Sequence, residues 1–100
     1  MAYILRTTVT KPADAPWYPS IYDNQPSNRN YLQWVKQFPN VTAVNGTAVS
    51  DNVHTRAIIF TDKPACDAFL IAREQNSDYI HRREWQNAFQ YTIEETQAEV

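Results

Sequence analysis

Residues 2–10 alternate, with Tyr3, Leu5, Thr7 and Val9 on one side and Ile4, Arg6, Thr8 and Thr10 on the other. A period of two, rich in β-branched residues, predicts a strand. The run Val-His-Thr-Arg-Ala-Ile-Ile-Phe-Thr over 53–61 is the clearest strand in the chain, and 41–49 precedes it as the partner of a hairpin. Two turns compete to close that hairpin. Asn45-Gly46 is the stronger local signal, but Ser50-Asp51-Asn52 gives strands of equal length and is preferred, with Gly46 left inside the strand as a bulge or a point of close approach. A last strand is read from Phe89, Tyr91 and Ile93 alternating with Gln90, Thr92 and Glu94.

Period-3.6 stripes fill the intervals. Tyr31, Trp34, Val35 and Phe38 fall at i, i+3, i+4 and i+7, widened by Leu32. Ser27 or Asn28 caps this helix, and Pro39 ends it because the residue before proline avoids the α region. Asp62 or Thr61 caps a second helix with Pro64 in its first turn, its inward stripe being Ala65, Ala68, Phe69 and Ala72 with Leu70 beside it. Asn76-Ser77-Asp78 breaks that helix, and a further helical segment runs from Tyr79 to Asn87, where His81, Trp85 and Ala88 share one face. Between the first strand and the first helix, residues 11–26 carry Pro12, Pro16, Pro19 and Pro26 with Trp17, Tyr18, Ile21 and Tyr22 between them. Proline fixes φ and removes a donor, so neither helix nor central strand fits here. Either the aromatics of this long connection cap the open end of the core, or they lie over a site as a contact or a lid.

The order strand, helix, strand, strand, helix, strand predicts a single α+β domain over residues 1–100. The expected architecture is a ferredoxin-like βαββαβ sandwich, a four-stranded antiparallel sheet with the helices on one face. The other face has no cover within the chain. Tyr3 or Ile4, Ala57 or Ile58, and Tyr91 would point there, so a homodimer joined sheet to sheet is expected.

Composition narrows the function classes. A net charge of −2 with no basic cluster beyond Arg82-Arg83 argues against a nucleic-acid partner. No apolar run approaches the roughly 18 residues of a membrane span. The first residues read as a strand rather than a signal segment, so the chain is expected to be cytoplasmic and the Asn40-Val41-Thr42 and Asn45-Gly46-Thr47 acceptor patterns coincidental. Cys66, the sole cysteine, is read as a small buried hydrophobe, with no disulfide and no thiolate metal site. With one glycine there is no phosphate-cradling loop, and no metal or other cofactor is expected.

Candidate chemistry centres on His81 with Trp85 one helical turn on; a neutral imidazole can transfer protons. His81 is the catalytic candidate, and Tyr79 and Arg82 beside it can bind an anion or stabilise a phenolate. His54 is placed with Arg56 on a strand face turned to solvent or to the dimer partner. Each of these has a plainer reading as a polar residue on an amphipathic surface.

Phe38-Pro39-Asn40-Val41, the paired strands, Phe60-Thr61-Asp62-Lys63-Pro64-Ala65, Phe69, His81 and Trp85 together resemble the layout of the dimeric α+β barrel proteins, the antibiotic-biosynthesis-monooxygenase-like group. The resemblance covers residues 30–95 and is one of layout. It implies a face-to-face dimer and, in some members, cofactor-independent oxygenation of aromatic substrates. One branch binds and degrades haem with a histidine late in the second helix, a place His81 can take, and an asparagine on the first strand, where this chain has Arg6, Thr7 and Thr8.

Two functions are therefore carried forward. The first is a non-enzymatic, self-associating interaction module using the open sheet face and the Trp17, Tyr18 and Tyr22 loop. The alternative is a dimeric-barrel enzyme or ligand-binding protein acting on a small aromatic molecule, its pocket lined by Tyr31, Trp34, Phe69, His81 and Trp85 with the proline-aromatic loop as lid. A cavity of about 300 Å³ or more reached by His81 separates them.

Overall fold

The computed structural model describes residues 1–18 and 31–100. Seven elements follow in the order β1 (Tyr3–Thr10), α1 (Tyr31–Gln37), β2 (Val41–Ser50), β3 (Val53–Phe60), α2 (Lys63–Arg73), α3 (Ser77–Ala88) and β4 (Thr92–Glu99). Tyr22 and the expected start of the first helix lie outside the described residues. The sheet order is β2-β3-β1-β4, every neighbour antiparallel, which is the ferredoxin-like arrangement.

Local chemistry sets most boundaries. Asp62 caps α2, its Oδ1 accepting from the Ala65 amide at 3.0 Å, with Pro64 tolerated in the first turn. Asn76 caps α3 in the same way, accepting from the Tyr79 amide at 2.9 Å. Asn40, at φ 67°, makes the reversal from α1 into β2, a conformation asparagine accepts more readily than most residues. The α3 C-terminus is a Schellman motif: Gln90 sits at φ 62°, its amide bonds the Asn87 carbonyl at 3.1 Å, and the Tyr91 amide bonds the Gln86 carbonyl at 2.9 Å. Phe89 thus belongs to the helix end, and the last strand begins only at Thr92. The helical bonds win because the periodic face of α3 continues through Gln86, whereas Phe89 has no strand partner.

The hairpin closes at Asp51-Asn52, with Ser50 paired to Val53. Asn45-Gly46 stays inside β2. Gly46 is not a bulge: it pairs with Arg56, and the register shifts fall at Val41/Ala43 and Ala48/Ser50. No close approach is made either, since a Cβ there would meet only the Thr55 carbonyl at 3.9 Å. The longer pairing prevails because it adds a ladder of backbone bonds that the early turn would forfeit.

Sheet and helices enclose a core of Leu5, Val35, Ile58, Phe60, Cys66 and Phe69, with Tyr3, Tyr31 and Tyr79 at its border. The buried stripe of α2 is Ala65, Cys66, Phe69 and Arg73, not Ala68 and Ala72. That shift of phase brings an arginine, 8% exposed, onto the inner face. On the uncovered face of the sheet, Ala43, Ile59, Ile4 and Ala98 align on one rung across all four strands. The next rung, Asn45, Ala57, Arg6 and Thr96, is largely polar. Ile4 and Ala57 therefore take the open face, Tyr3 and Ile58 the core. Tyr91 turns inward, 9% exposed, because it alternates in phase with Ile93 and Glu95.

Candidate functional site

The inner sheet face is not filled along its whole length. Reading its rungs from the core outwards gives Gln97, Leu5 and Ile58; then Glu95, Thr7 and Arg56; then Ile93, Val9 and His54. The first closes against the core. Over the second and third stands a cavity of about 360 Å³, roofed by Tyr79, Arg82, Arg83 and Gln86 of α3. These four lie at i, i+3, i+4 and i+7 of one helix face. Tyr31, Arg73, Trp17, Tyr18 and Tyr91 complete the walls. Such a volume is in the range of small-molecule sites.

Residues 11–18 lie across the outer end as a strap. The Lys11 amide and Nζ both bond Asn52, at 2.9 Å each. Trp17 donates from Nε1 to the Asp51 carbonyl at 3.0 Å and stacks on His54, ring centroids 3.8 Å apart and 6° from parallel. Its edge meets Tyr91 at 5.7 Å, and the Tyr91 hydroxyl donates to the Pro16 carbonyl. Burial pushes the Tyr91 phenol above its ordinary pKa. At the other edge, the Tyr18 hydroxyl donates to Asp78 Oδ1 at 3.0 Å and lies 2.6 Å from His81 Nδ1. A hydroxyl has one proton, so with that proton on the carboxylate the imidazole must donate from Nδ1. Asp78, buried, also accepts from the Tyr31 amide at 2.6 Å and from Arg82 Nε at 3.3 Å. One carboxylate thereby ties the strap, α1 and α3 together.

The inner end of the cavity is charged. Arg73 grips Glu95 with both terminal nitrogens, at 2.8 and 2.6 Å; Thr7 donates to the same carboxylate at 2.8 Å, and Arg83 stands 3.8 Å away. For Glu95, burial favours the neutral acid, but the hydrogen bonds and charge of Arg73, with Thr7 and Arg83, outweigh it and hold the carboxyl below its ordinary pKa. Burial likewise works against the Arg73 cation, and Glu95 more than offsets it, leaving the guanidinium above its usual value. The Tyr79 ring lies 4.9 Å from Arg73 and 5.0 Å from Arg83, whose Nε donates to the Tyr79 hydroxyl at 2.9 Å. The Arg82 guanidinium lies 4.6 Å from the Tyr18 ring. Burial raises the Tyr31 phenol, although Arg73 and Arg56 pull it the other way.

Of the residues singled out from sequence, Trp17, Tyr18 and Tyr31 line this cavity. Trp34 and Phe69 do not; they pack on each other at 5.5 Å, with Phe38 and Phe60, inside the core. Trp85 stands behind Tyr18 and Tyr91, edge-on at 5.5 and 5.6 Å. His81 is exposed and meets the cavity wall through Tyr18. The expected face of His81, Trp85 and Ala88 is one flank of α3, whereas the face that meets the sheet is Tyr79, Arg82, Arg83 and Gln86. His54 and Arg56 lie inside, on neither of the surfaces expected for them. Arg73, Arg83, Glu95 and Tyr91 also line the cavity, and residue type alone does not mark them. Their signal is phase: Arg56 alternates with Ile58 and Phe60, Glu95 with Tyr91 and Ile93, and Arg73 follows Phe69 by one turn.

Among the described residues no group of three or more His, Cys, Asp and Glu side chains is placed to hold a metal ion, and no helix is long and apolar enough to cross a membrane. No family model and no curated protein sequence matches the chain. Among solved structures it superposes on SnoaB, a cofactor-independent oxygenase from Streptomyces nogalater, with a TM-score of 0.64, 12% identity, and coverage of 99% of this chain and 92% of that one. This places the chain in the fold that its layout resembles, the α+β barrel fold of that oxygenase.

Proposed function

We propose that the chain binds a small planar aromatic molecule between its sheet and α3, and acts on it or carries it. The observation that supports this is the cavity itself, walled by Tyr18, Tyr31, Tyr79, Tyr91, Trp17 and His54. Aromatic walls with a few convergent polar groups are what a flat organic ligand needs. The structural likeness to a cofactor-independent oxygenase fits this reading. His81 would enter such chemistry through the Tyr18 hydroxyl, which can pass a proton between the imidazole and the cavity.

An amide NMR titration with a bicyclic aromatic probe, 1-naphthamide or 1-naphthoate, tests the reading. Shifts are expected at Trp17 Nε1, His54, Gln86 and Tyr91. No shifts at millimolar probe, or shifts confined to Ile4, Ala57 and Ile59, would remove it.

The open sheet face supports a second, compatible reading: self-association into a homodimer over the Ala43-Ile59-Ile4-Ala98 rung. The polar rung beside it makes this patch narrower than the alternation alone suggested. Sedimentation at tens of micromolar showing only monomer would rule this out.

A further inference from the structure

Beside the aromatic cavity, on the side of the edge strand β4, lies a second space of about 380 Å³, lined by Arg83, Asn87, Tyr91, Ile93 and Glu95. Arg83, Tyr91 and Glu95 line the cavity as well, so the two spaces share one wall. That wall is loosely closed. Arg83 Nη2 stands 3.8 Å from Glu95 Oε2, while the other bonds of Arg83 run to its own helix, from Nε to the Tyr79 hydroxyl at 2.9 Å and from Nη1 to Gln86 Oε1 at 3.4 Å. It is also wet. The Arg83 and Glu95 side chains keep 26% and 23% of their surface, against 9% for Arg73, and Asn87 is exposed. Elsewhere the cavity is shut: the strap ties down its outer end through Lys11, Trp17 and Tyr18, and Leu5 and Ile58 close its inner end against the core. A substituent too long for the cavity therefore has its way out across the Arg83–Glu95 seam.

The second space is polar and balanced in charge. Arg83 and Glu95 oppose each other, and the Asn87 side-chain amide, which bonds no described residue, adds a donor and an acceptor. A matched pair offers an ion no net attraction. Donors and acceptors side by side suit a hydroxyl, which donates one bond and accepts two. Resting on the reading above, we infer that the ligand is a planar aromatic molecule bearing a neutral, hydroxylated arm. Its ring lies beneath Trp17, and its arm crosses the seam into the groove between α3 and β4, where the hydroxyl meets Arg83, Asn87 and Glu95. Bonds from a hydroxyl to charged partners are stronger than those between neutral groups, which gives the arm an advantage over the water it displaces.

The test compares three neutral probes by calorimetric titration: 1-naphthamide, N-(2-hydroxyethyl)-1-naphthamide and N-propyl-1-naphthamide, the last with an arm of equal length and no hydroxyl. The hydroxyethyl amide is expected to bind the wild type about fivefold tighter than 1-naphthamide or more, and the propyl amide to gain less. Asn87→Trp, at an exposed position outside the cavity lining, fills the groove and is expected to abolish the gain while leaving 1-naphthamide within about twofold. Hydroxyethyl binding no tighter than that of 1-naphthamide, or a gain unchanged in Asn87→Trp, overturns the groove and leaves the aromatic cavity standing. A propyl amide that gains as much as the hydroxyethyl amide overturns the hydroxyl assignment. Binding of none of the three overturns both readings. Should Asn87→Trp fail to fold, the wild-type ratios decide the matter.

Discussion

Replacing Glu95 by glutamine removes one charge from the inner end of the cavity without changing its shape. The carboxylate is the only charged partner within 4.0 Å of Arg73 among the described residues, and the two side chains are 9% and 23% exposed. Taking one member from a buried pair costs about 3–5 kcal/mol, because the other charge stays buried and unmatched. Here the amide oxygen can still accept one bond, and Glu95 keeps some contact with solvent, so about 2–3 kcal/mol is expected. With a urea m-value of about 1.5 kcal/mol per molar for a domain this size, the midpoint falls by roughly 1.3–2 M. The acid limb provides a second readout. The folded-state pKa of Glu95 lies below its unfolded value, so its stabilisation is complete above the ordinary carboxylate pKa of about 4.3 and is lost as pH falls through the folded value. Wild type should therefore lose stability on acidification over that window, and Glu95→Gln should lose less. A midpoint shift below about 0.5 M with an unchanged acid limb would show that this end of the cavity is well hydrated, and the electrostatic argument would fail.

Other expectations are simpler. Asp62→Ala removes the α2 cap and should cost about 1 kcal/mol in urea denaturation, with probe binding unchanged because Asp62 is not part of the cavity lining. Gln90→Gly places the residue best suited to φ 62° at the α3 terminus and should raise the thermal midpoint, by about 1 kcal/mol of stability. Cys66 is fully buried and its thiol is pushed up by that burial, so a thiol reagent near neutral pH should label it only when the protein opens, at a rate that follows denaturant. Trp17→Ala should red-shift no remaining indole strongly, cost about 1 kcal/mol through the lost His54 stack and Asp51 bond, and weaken probe binding severalfold.

The fold could be read from the chain because its local signals agree with one another. The β1 alternation, the Tyr31–Phe38 stripe, the Asp62 cap and the break at Asn76 each name the element that forms. Where two signals conflicted, length of pairing decided, as at Asp51-Asn52 over Asn45-Gly46. The site was less legible, for a physical reason. Hydrophobicity identifies large side chains without separating core from cavity wall, so it points to Trp34 and Phe69 as binding residues, whereas they pack with Phe38 and Phe60. Charge points Arg56 to an outer face, and nothing in the residue types of Arg73 and Glu95 singles them out. Yet each falls in phase with buried neighbours, and a charged residue on a buried phase needs a partner or a ligand. The His81–Trp85 pair attracted attention by residue type, while the one-residue rotation that puts Arg82 and Arg83 over the sheet follows from tertiary packing.

The central claim, an aromatic molecule held between sheet and α3, is tested most directly by a crystal structure of the protein with 1-naphthoate. Density for the ring beneath Trp17 and beside Val9, between the sheet and α3, is the predicted result. A probe bound on the Ile4–Ile59 face, or nowhere, would contradict it.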